Sequence, residues 1–340
     1  MKKIFLKDIA KDLNVSKTTV SLVLNNKGDA NKISKETQQK IRAYVKEHNY
    51  VPNQLARGLS RGKSETIGLI IPNISDVFYA EIAACVERRA KDLGYTVIFS
   101  SSNEDPQKEA ALIRSMLNRQ VDGLIIASTQ QNQEEIEALK KLDFPFVLID
   151  RHYPEIPTDR IVVDNFKGTK ILTEHLLKLG RRNIALITLA PGLDAIRQRL
   201  LGYQSALKDF GIQPNEDWVK ELTKECYEGE MKQAIKALWR FPNSIDAIVF
   251  TTHYLTALGL RELKQLNIKV PQEIAIVSFD ELSAFDLVDP PITSIVQPVA
   301  EMGKLALESL MEKITSNQEK SIQEKVLDVR LVIRKSCGSI

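Results

Sequence analysis

Charged, hydroxyl and aromatic side chains recur directly after short β-branched runs, which predict strands. The segments that follow these runs are Asn73 to Asp76, Ser100 to Asn103, Ser128-Thr129, Asp150-Arg151, Ala190-Pro191, Thr251 to Tyr254, and Asp280. Open α/β sheets bind ligands outside the carboxyl ends of their strands, so these segments are candidates for a shared cleft. Carboxylates and guanidinium groups match hydroxyls with fixed acceptors and donors, and aromatic rings cover the apolar face of a sugar. The pattern predicts a site for a polyhydroxylated ligand.

Signatures of catalysis and of metal binding are weak in this sequence. The four histidines form no HExxH arrangement, and no GxGxxG follows a predicted strand. The segment from Gly58 to Ser64 is similar to a P-loop, but three residues separate its glycines where that motif needs four. We therefore expect no enzyme, no cofactor and no metal site. A Ser/His/Asp set that assembles in the cleft is the remaining catalytic alternative.

The positive charge is concentrated at the N-terminus. Residues 1–66 contain 14 Lys and Arg against 6 Asp and Glu, a net charge of +8. The rest of the chain contains 33 and 38, a net charge of −5. This asymmetry indicates either a basic module that binds a polyanion or a solvated basic face.

The order of residues in this basic segment predicts three short helices. Leu6, Ile9, Ala10 and Leu13 follow the spacing of an amphipathic helix. Ser16 is a favourable N-cap for a second helix, from Lys17 to Asn25, whose inward residues are Val20, Val23 and Leu24. A third helix begins at Ser34, with Ile41, Tyr44 and Val45 facing inward. Two short helices about a three-residue turn are typical of a helix-turn-helix.

From Thr66 onward, strands alternate with helical segments, which is typical of a parallel sheet covered on both faces. The pattern occurs twice: TIGLIIPN has a counterpart in NIALITLA, VDGLIIAS in IDAIVFTT, and FPFVLID in EIAIVSFD. We therefore expect an α/β body of two similar doubly wound subdomains.

The composition fits a protein of the cytoplasm. No apolar run reaches the ~18–20 residues of a membrane span, so we expect no membrane partner. Lys7 and Asp8 interrupt the N-terminal apolar stretch where a signal peptide needs its apolar core. Three cysteines without CxxC or Cys/His spacing are typical of a reducing compartment.

Two stretches, LKDIAKDLNVSKTTVSLVLNN and HNYVPNQLARGLSRGKSETIGLIIP, resemble the headpiece and hinge of the lac/galactose repressor family of bacterial transcription regulators. The resemblance continues to about residue 335. It implies a three-helix headpiece, a hinge helix and a core similar to periplasmic sugar-binding proteins. The expected domains are residues 1–50, the hinge at 51–65 and the core at 66–340. The first subdomain then covers about 66–163 plus 294–322, and the second about 164–293 plus 323–340.

The resemblance implies which headpiece residues contact DNA. Lys17, Thr18 and Leu22 match base-reading positions: lysine can donate to guanine, and leucine can touch a thymine methyl. The residues suited to phosphate contacts are Ser16, Thr19, Ser21 and Asn25. The segment Lys27 to Lys32 is about three residues longer than is usual in the family.

The hinge residues implied by the resemblance are Asn53, Gln54, Arg57 and Leu59. Leu59 corresponds to the side chain that enters a central base step of the minor groove and kinks the duplex. An ordinary linker leucine is the alternative. Because the hinge helices act in pairs on a two-fold site, we expect a homodimer on a pseudo-palindromic operator.

The resemblance also implies effector contacts. Asp280 and Arg199 match the family's effector-binding aspartate and arginine, Tyr79 its first-loop aromatic, and Asp150-Arg151 a sugar-contacting pair. Asp76 joins them from the first loop. His253 stands where relatives usually have asparagine, and Val77 replaces a common proline. Helix capping by Asp280 and a core position for Phe78 are the structural alternatives.

We therefore expect a cytoplasmic transcription regulator that acts as a repressor, binds double-stranded operator DNA and is controlled by a sugar-like effector. The competing interpretation is a sugar-binding protein of transport or chemotaxis. That protein would share the core but would have no use for residues 1–60.

Overall fold

The computed structural model describes residues 4–48, 50, 62–190, 192–223, 226–239, 245–316 and 321–339. The chain divides into two compact units, Met1–Ser64 and Glu65–Ile340. The predicted hinge residues Asn53, Gln54, Arg57 and Leu59 lie outside the described residues. Their roles stay predictions.

The first unit contains three helices, α1 (Leu6–Asp12), α2 (Lys17–Leu24) and α3 (Lys35–Glu47). The Ser16 hydroxyl accepts a hydrogen bond from the Thr19 N–H at 2.9 Å, and Ser34 accepts one from Thr37 at 3.2 Å. Both serines therefore cap helices as the sequence predicts. The core of the unit is formed by Ile9, Ala10, Val20, Val23 and Ile41. The predicted helix-turn-helix is confirmed.

The segment between α2 and α3 is anchored by polar contacts. Gln38, only 6% exposed, donates from Nε2 to Asp29 Oδ1 at 2.8 Å and to the Ile33 carbonyl at 2.9 Å. Lys35 Nζ lies 2.7 Å from Asp29 Oδ2. The segment that is longer than usual for the family is therefore packed against α3.

The second unit alternates strands and helices along the chain. Its elements are β1 (Thr66–Ile71), α4 (Val77–Asp92), β2 (Thr96–Ser101), α5 (Pro106–Asn118), β3 (Gly123–Ile126), α6 (Gln133–Lys141), β4 (Phe146–Ile149), β5 (Arg160–Val163), α7 (Asn165–Lys178), β6 (Ile184–Leu189), α8 (Asp194–Asp209), β7 (Val219–Leu222), α9 (Tyr227–Trp239), β8 (Ala247–Phe250), α10 (His253–Gln265), β9 (Ala275–Phe279), β10 (Thr293–Val296), α11 (Val299–Thr315), β11 (Glu324–Leu327) and β12 (Arg330–Val332). Short 3-10 helices lie at Glu216–Trp218, Ser283–Asp286 and Lys335–Cys337.

The strands form two six-stranded sheets, in the orders β11-β5-β4-β3-β1-β2 and β12-β10-β9-β8-β6-β7. If the outermost strands β11 and β12 are left aside, the order β5-β4-β3-β1-β2 in the first sheet corresponds to β10-β9-β8-β6-β7 in the second. The duplication predicted from the sequence is therefore confirmed. Among the described strands, only the β10–β12 pair is antiparallel. The doubly wound α/β prediction is also confirmed.

Two of the predicted subdomain boundaries are wrong. The chain leaves the first subdomain near Asp164, as predicted, but β10 pairs with β9 and therefore belongs to the second sheet. β11 pairs with β5 and belongs to the first. The second and third crossings thus fall between 296 and 299 and between 327 and 330, a few residues later than predicted. The pairing of distant strands decides where the chain crosses between the subdomains, and the local sequence pattern does not reveal that pairing.

Alternation along the central strands produces a core on both faces of each sheet. In β1, Ile67, Leu69 and Ile71 pack against α4 and α11, whereas Ile70 faces α5 and α6. The second sheet is covered by α9 and α10 on one face and by α7 and α8 on the other. Burial on both faces explains the nearly continuous apolar runs in the sequence.

Gly202 allows α7 and α8 to approach closely. A Cβ at this position would lie 2.2 Å from the Phe166 carbonyl oxygen and 3.1 Å from the Lys170 nitrogen, which are both backbone atoms. We expect Gly202→Ala to destabilise the second unit by about 1–3 kcal/mol or more and to lower its Tm by several degrees in calorimetry.

Gly229 is the matched control, because it lies in α9 and a Cβ added there would have no neighbouring atom within 4 Å. Gly229→Ala should leave the Tm unchanged or raise it, since alanine favours a helix. Equal Tm values for Gly202→Ala and the wild type would contradict the packing argument.

Candidate functional site

The outer face of α2 presents the predicted DNA contacts. Lys17 and Thr18 are exposed in its first turn, while Val20 and Val23 point into the core. The residues that the sequence predicts at this face and that the structure describes are Ser16, Lys17, Thr18, Thr19, Ser21, Leu22 and Asn25. Among the described residues they share one helix and the residues that cap its two ends, as major-groove recognition requires.

Several of these polar side chains are held in place by local hydrogen bonds. The Ser16 and Thr19 hydroxyls lie 2.8 Å apart, and Asn25 Nδ2 donates to the Ser21 carbonyl at 2.8 Å. Lys17 and Thr18 are exposed beside them. Short side chains fixed by hydrogen bonds, next to an exposed lysine, suit phosphate positioning combined with base reading.

The second unit contains a cavity of about 600 Å³ between its two subdomains. The seven predicted effector-binding residues all line it: Asp76, Tyr79, Asp150, Arg151, Arg199, His253 and Asp280. The volume lies within the range of small-molecule sites. Whether these residues contact an effector stays a prediction, but the structure brings them together.

In the first subdomain, an aromatic hydroxyl and a guanidinium group surround one carboxylate. Tyr79 donates its hydroxyl to Asp150 Oδ2 at 2.7 Å. Arg151 binds Glu104 through Nη1 and Nη2 at 2.6 and 2.8 Å, and its Nε lies 3.5 Å from Asp150. Burial raises the pKa of Asp150 and raises that of Tyr79 well above its usual range.

In the second subdomain, Asp280 is the centre of a comparable group. Arg199 Nη1 lies 3.4 Å from Asp280 Oδ2, and Gln297 Nε2 donates to Oδ1 at 2.5 Å. Burial alone would raise the pKa of Asp280, but Arg199, His253 and Gln297 bring it below its ordinary value. Asp280 is therefore ionised in the cavity.

His253 connects the two subdomains. Its Nε2 lies 3.6 Å from Asp76 Oδ1 and its Nδ1 lies 3.9 Å from Asp280 Oδ2. Although burial disfavours the imidazolium, Asp280 and Asp76 raise the pKa of His253 above its ordinary value. Asp76 also caps α4 by accepting the Phe78 N–H at 2.9 Å.

Asp150 and Asp280 occupy equivalent positions after β4 and β9, and both have left-handed backbone angles, with φ of 65° and 76°. Aspartate tolerates this conformation better than most residues. The reversal turns both carboxylates into the cavity directly after buried strands. Each subdomain therefore has an aspartate at the equivalent strand end, where the strand meets the cavity.

Some candidates at strand ends do not line this cavity. Ser128 donates to the buried Glu109 at 2.9 Å and Thr129 N–H donates to it at 2.6 Å, so these residues hold α5 against the sheet. Within the described residues, Ser100 to Asn103 and Ala190 are also outside the cavity lining. Pro191 lies outside the described residues.

Other lining residues were missed by the sequence reasoning. Gln297 follows β10, so the same strand-end rule could have identified it, and Glu104 lies one residue beyond a segment that was identified. Tyr227 enters from the start of α9, and no local pattern indicated it. Asn165 is outside this lining but accepts from Arg199 Nε at 2.8 Å and thereby orients the guanidinium.

The cavity therefore combines carboxylate acceptors, oriented donors and aromatic faces. Features of this kind suit the binding and orientation of a polar ligand without any covalent step. Within the described ranges, no three His, Cys, Asp or Glu side chains could hold a metal ion together. No described helix is long and apolar enough to span a membrane.

Two family models match the chain. Residues 5–53 match "Bacterial regulatory proteins, lacI family", and residues 64–334 match "Periplasmic binding proteins and sugar binding domain of LacI family". The two matches correspond to the two compact units.

Relatives and solved structures agree with these matches. The chain is 32% identical to the HTH-type transcriptional regulator DegA of Bacillus subtilis, over 98% of each chain. It is 29% identical to the ribose operon repressor of Haemophilus influenzae, over 98% of this chain and 99% of that one. A crystal structure of the lac repressor dimer bound to operator and the anti-inducer ONPF superposes with a TM-score of 0.85, at 25% identity over 99% of each chain. The chain belongs to the LacI family of bacterial transcriptional regulators, with a helix-turn-helix DNA-binding unit and a periplasmic-binding-like core.

Proposed function

We propose that this regulator acts as a homodimeric repressor in the cytoplasm, binding a pseudo-palindromic operator that it releases or retains according to a sugar-like effector. The observation that carries the proposal is the cavity between the subdomains, in which Asp150 and Asp280 face one space from equivalent strand ends. A ligand there contacts both subdomains at once. It can therefore favour one relative arrangement of them over another.

The cavity chemistry supports a polyhydroxylated effector. Asp150 and Asp280 offer carboxylate oxygens, Arg151 and Arg199 lie beside them, and Tyr79 is buried against Asp150. Carboxylates and guanidinium groups bind vicinal hydroxyls, and rings pack on the apolar face of a sugar. The ribose operon repressor, to which this chain is similar, is named for a sugar, and the similar lac repressor structure contains an anti-inducer.

The chain connectivity supports allosteric control. Three segments cross between the sheets, near 164, between 296 and 299, and between 327 and 330. Crossings of this kind can serve as hinges for closure of one subdomain on the other. If closure alters the spacing of the DNA-binding units, effector and operator weaken or strengthen each other by the same factor.

The first subdomain supports a homodimer through an exposed edge. β2 is an edge strand of its sheet, and Phe99 on it is 40% exposed. Ile74 and Val77, in the neighbouring loop and at the start of α4, are 48% and 43% exposed. Apolar side chains beside an open strand edge require cover. A second copy of the chain provides that cover and places two helix-turn-helix units on two half-sites.

Substitution at the cavity tests the effector site. Asp280→Asn keeps the side-chain shape and tolerates the left-handed backbone, but removes the negative charge that orients ligand hydroxyls. We expect affinity for a carbohydrate found by thermal-shift screening to fall by about 10-fold or more, since hydrogen bonds to charged groups are worth about 1.5–3 kcal/mol. Isothermal titration calorimetry measures the loss.

Asp209→Asn is the control, because Asp209 pairs with Lys170 outside the cavity. Its affinity should match the wild type. Unchanged affinity in Asp280→Asn would contradict the assignment of this cavity.

Substitution on α2 tests the DNA face. The full chain is first used to select binding sites from random double-stranded DNA. Lys17→Ala should then reduce affinity for the selected site by about 10–100-fold, because a base contact is worth about 1–3 kcal/mol. Lys40→Ala is the matched control, since Lys40 is exposed on α3 and paired with Glu36 at 2.7 Å.

Salt dependence provides the second readout in the same fluorescence-anisotropy assay. Several phosphate contacts should cost the wild type ~10³–10⁵ in affinity between 50 and 200 mM salt. A flat salt response, or equal losses for the two lysine variants, would count against the proposed interface.

A further inference from the structure

The cavity lining carries more acidic than basic groups. Its ionisable acids and bases, tyrosines aside, are Asp76, Glu104, Asp150, Glu228 and Asp280 against Arg151, Arg199 and His253. Five acidic side chains face three basic ones, so acids outnumber bases by two even when His253 is counted as a base. A neutral or cationic ligand is therefore favoured over an anionic one.

The cationic donors are already engaged with the protein. Arg151 forms a two-bond contact with Glu104, at 2.6 and 2.8 Å. Arg199 donates from Nε to Asn165 at 2.8 Å and from Nη1 to the Thr251 carbonyl at 2.6 Å. These bonds satisfy much of the donor capacity of both guanidinium groups, whereas ionised carboxylates retain further acceptor sites.

Gln297 adds an acceptor that lacks a partner. Its Nε2 donates to Asp280 Oδ1 at 2.5 Å. Since an ionised carboxylate only accepts, this contact fixes the amide orientation and turns Oε1 away from Asp280. Oε1 is buried and, among the described residues, has no hydrogen-bond partner, and Gln297 is only 7% exposed. A buried acceptor beside a ligand cavity calls for a donor on the ligand.

Aromatic rings lie next to the acidic part of the lining. The Tyr227 and Tyr254 ring centroids are 5.3 Å apart, and the His253 ring meets Tyr254 edge-on at 5.4 Å. His253 in turn lies 3.6 Å from Asp76. Burial raises the pKa of Tyr227, and the negative charges of Glu228 and Asp76 raise it further. Rings combined with carboxylates are the surroundings in which proteins bind ammonium groups.

We propose that the effector is a polyhydroxylated molecule carrying a protonated amine, with its ammonium group bound between Asp76 and the rings of Tyr227 and Tyr254. This inference rests on the proposed function and specifies its ligand class. The ammonium supplies three donors and one positive charge to a lining rich in acceptors. The hydroxyls then bind in the part of the cavity that contains Asp150, Asp280 and Gln297.

Matched sugars test the amine directly. Calorimetric titrations near pH 7 compare glucosamine, galactosamine and mannosamine with glucose, galactose and mannose, and with the three N-acetyl derivatives. At least one amino sugar should bind about tenfold tighter than its neutral parent, because a charge-assisted hydrogen bond replaces a neutral one. N-acetylation should abolish this preference, since it removes the charge and keeps the ring.

Asp76→Asn locates the ammonium group. Asparagine is as good an N-cap as aspartate, so α4 should keep its start. The variant should lose about tenfold in affinity for the amino sugar and less than that for the neutral parent, so the ratio of the two affinities should fall. Asp209→Asn again serves as the control and should retain the wild-type preference.

The outcomes separate this inference from the proposed function. Gluconate, a sugar acid, is titrated alongside as the anionic comparison. Equal or tighter binding of the neutral sugars, of the N-acetyl derivatives or of gluconate overturns the proposal of an amine-bearing effector, as does a panel in which no amino sugar binds. If a neutral sugar binds and changes affinity for the selected DNA, the proposed function stands without the amine. If an amino sugar binds with the expected preference and DNA affinity is unchanged, the amine stands and the allosteric part of the proposed function fails.

Discussion

The ligand cavity depends on the contacts that the buried guanidinium group of Arg199 makes. Arg199 is 4% exposed, lies 3.7 Å from the Phe279 ring centroid, and binds Asn165, the Thr251 carbonyl and Asp280. These partners come from the start of α7 and from the ends of β8 and β9. A buried charge without partners is strongly unfavourable, so Arg199 holds three strand and helix ends in fixed positions. Asp280 keeps its negative charge because Arg199 is beside it.

The duplicated fold makes this arrangement possible. The carboxyl ends of the parallel strands lie on the same side of each sheet. The equivalent aspartates that follow β4 and β9 both have left-handed backbone angles. The first subdomain repeats the theme with Asp150, Arg151 and Tyr79. His253 and Asp76 then bring the two halves within ion-pair range across the cavity. A ligand in this space therefore meets fixed groups from both subdomains.

The two units use different physics for the two tasks of the regulator. The helix-turn-helix unit exposes Lys17 and Thr18 over a small core of Ile9, Val20 and Ile41, so its predicted DNA contacts face solvent. The second unit encloses its polar groups, where low solvent exposure strengthens each charge interaction. The chain, which is similar to the lac repressor, thus has its predicted DNA contacts on one exposed unit and its candidate ligand site enclosed in the other.

The sequence alone determined the fold class, the family, and the caps at Ser16 and Ser34, because these depend on local periodicity and on motif spacing. The seven predicted residues around the cavity came from the ends of predicted strands and, for Tyr79 and Arg199, from the family resemblance. It did not determine the crossings after β10 and β11, which depend on hydrogen bonds between strands that are distant in the chain. Nor did it reveal the Arg151–Glu104 pair, the unpartnered Gln297 oxygen or the position of Tyr227. Such features arise only when separate elements pack together, since burial and pairing are properties of the tertiary structure and not of any one segment.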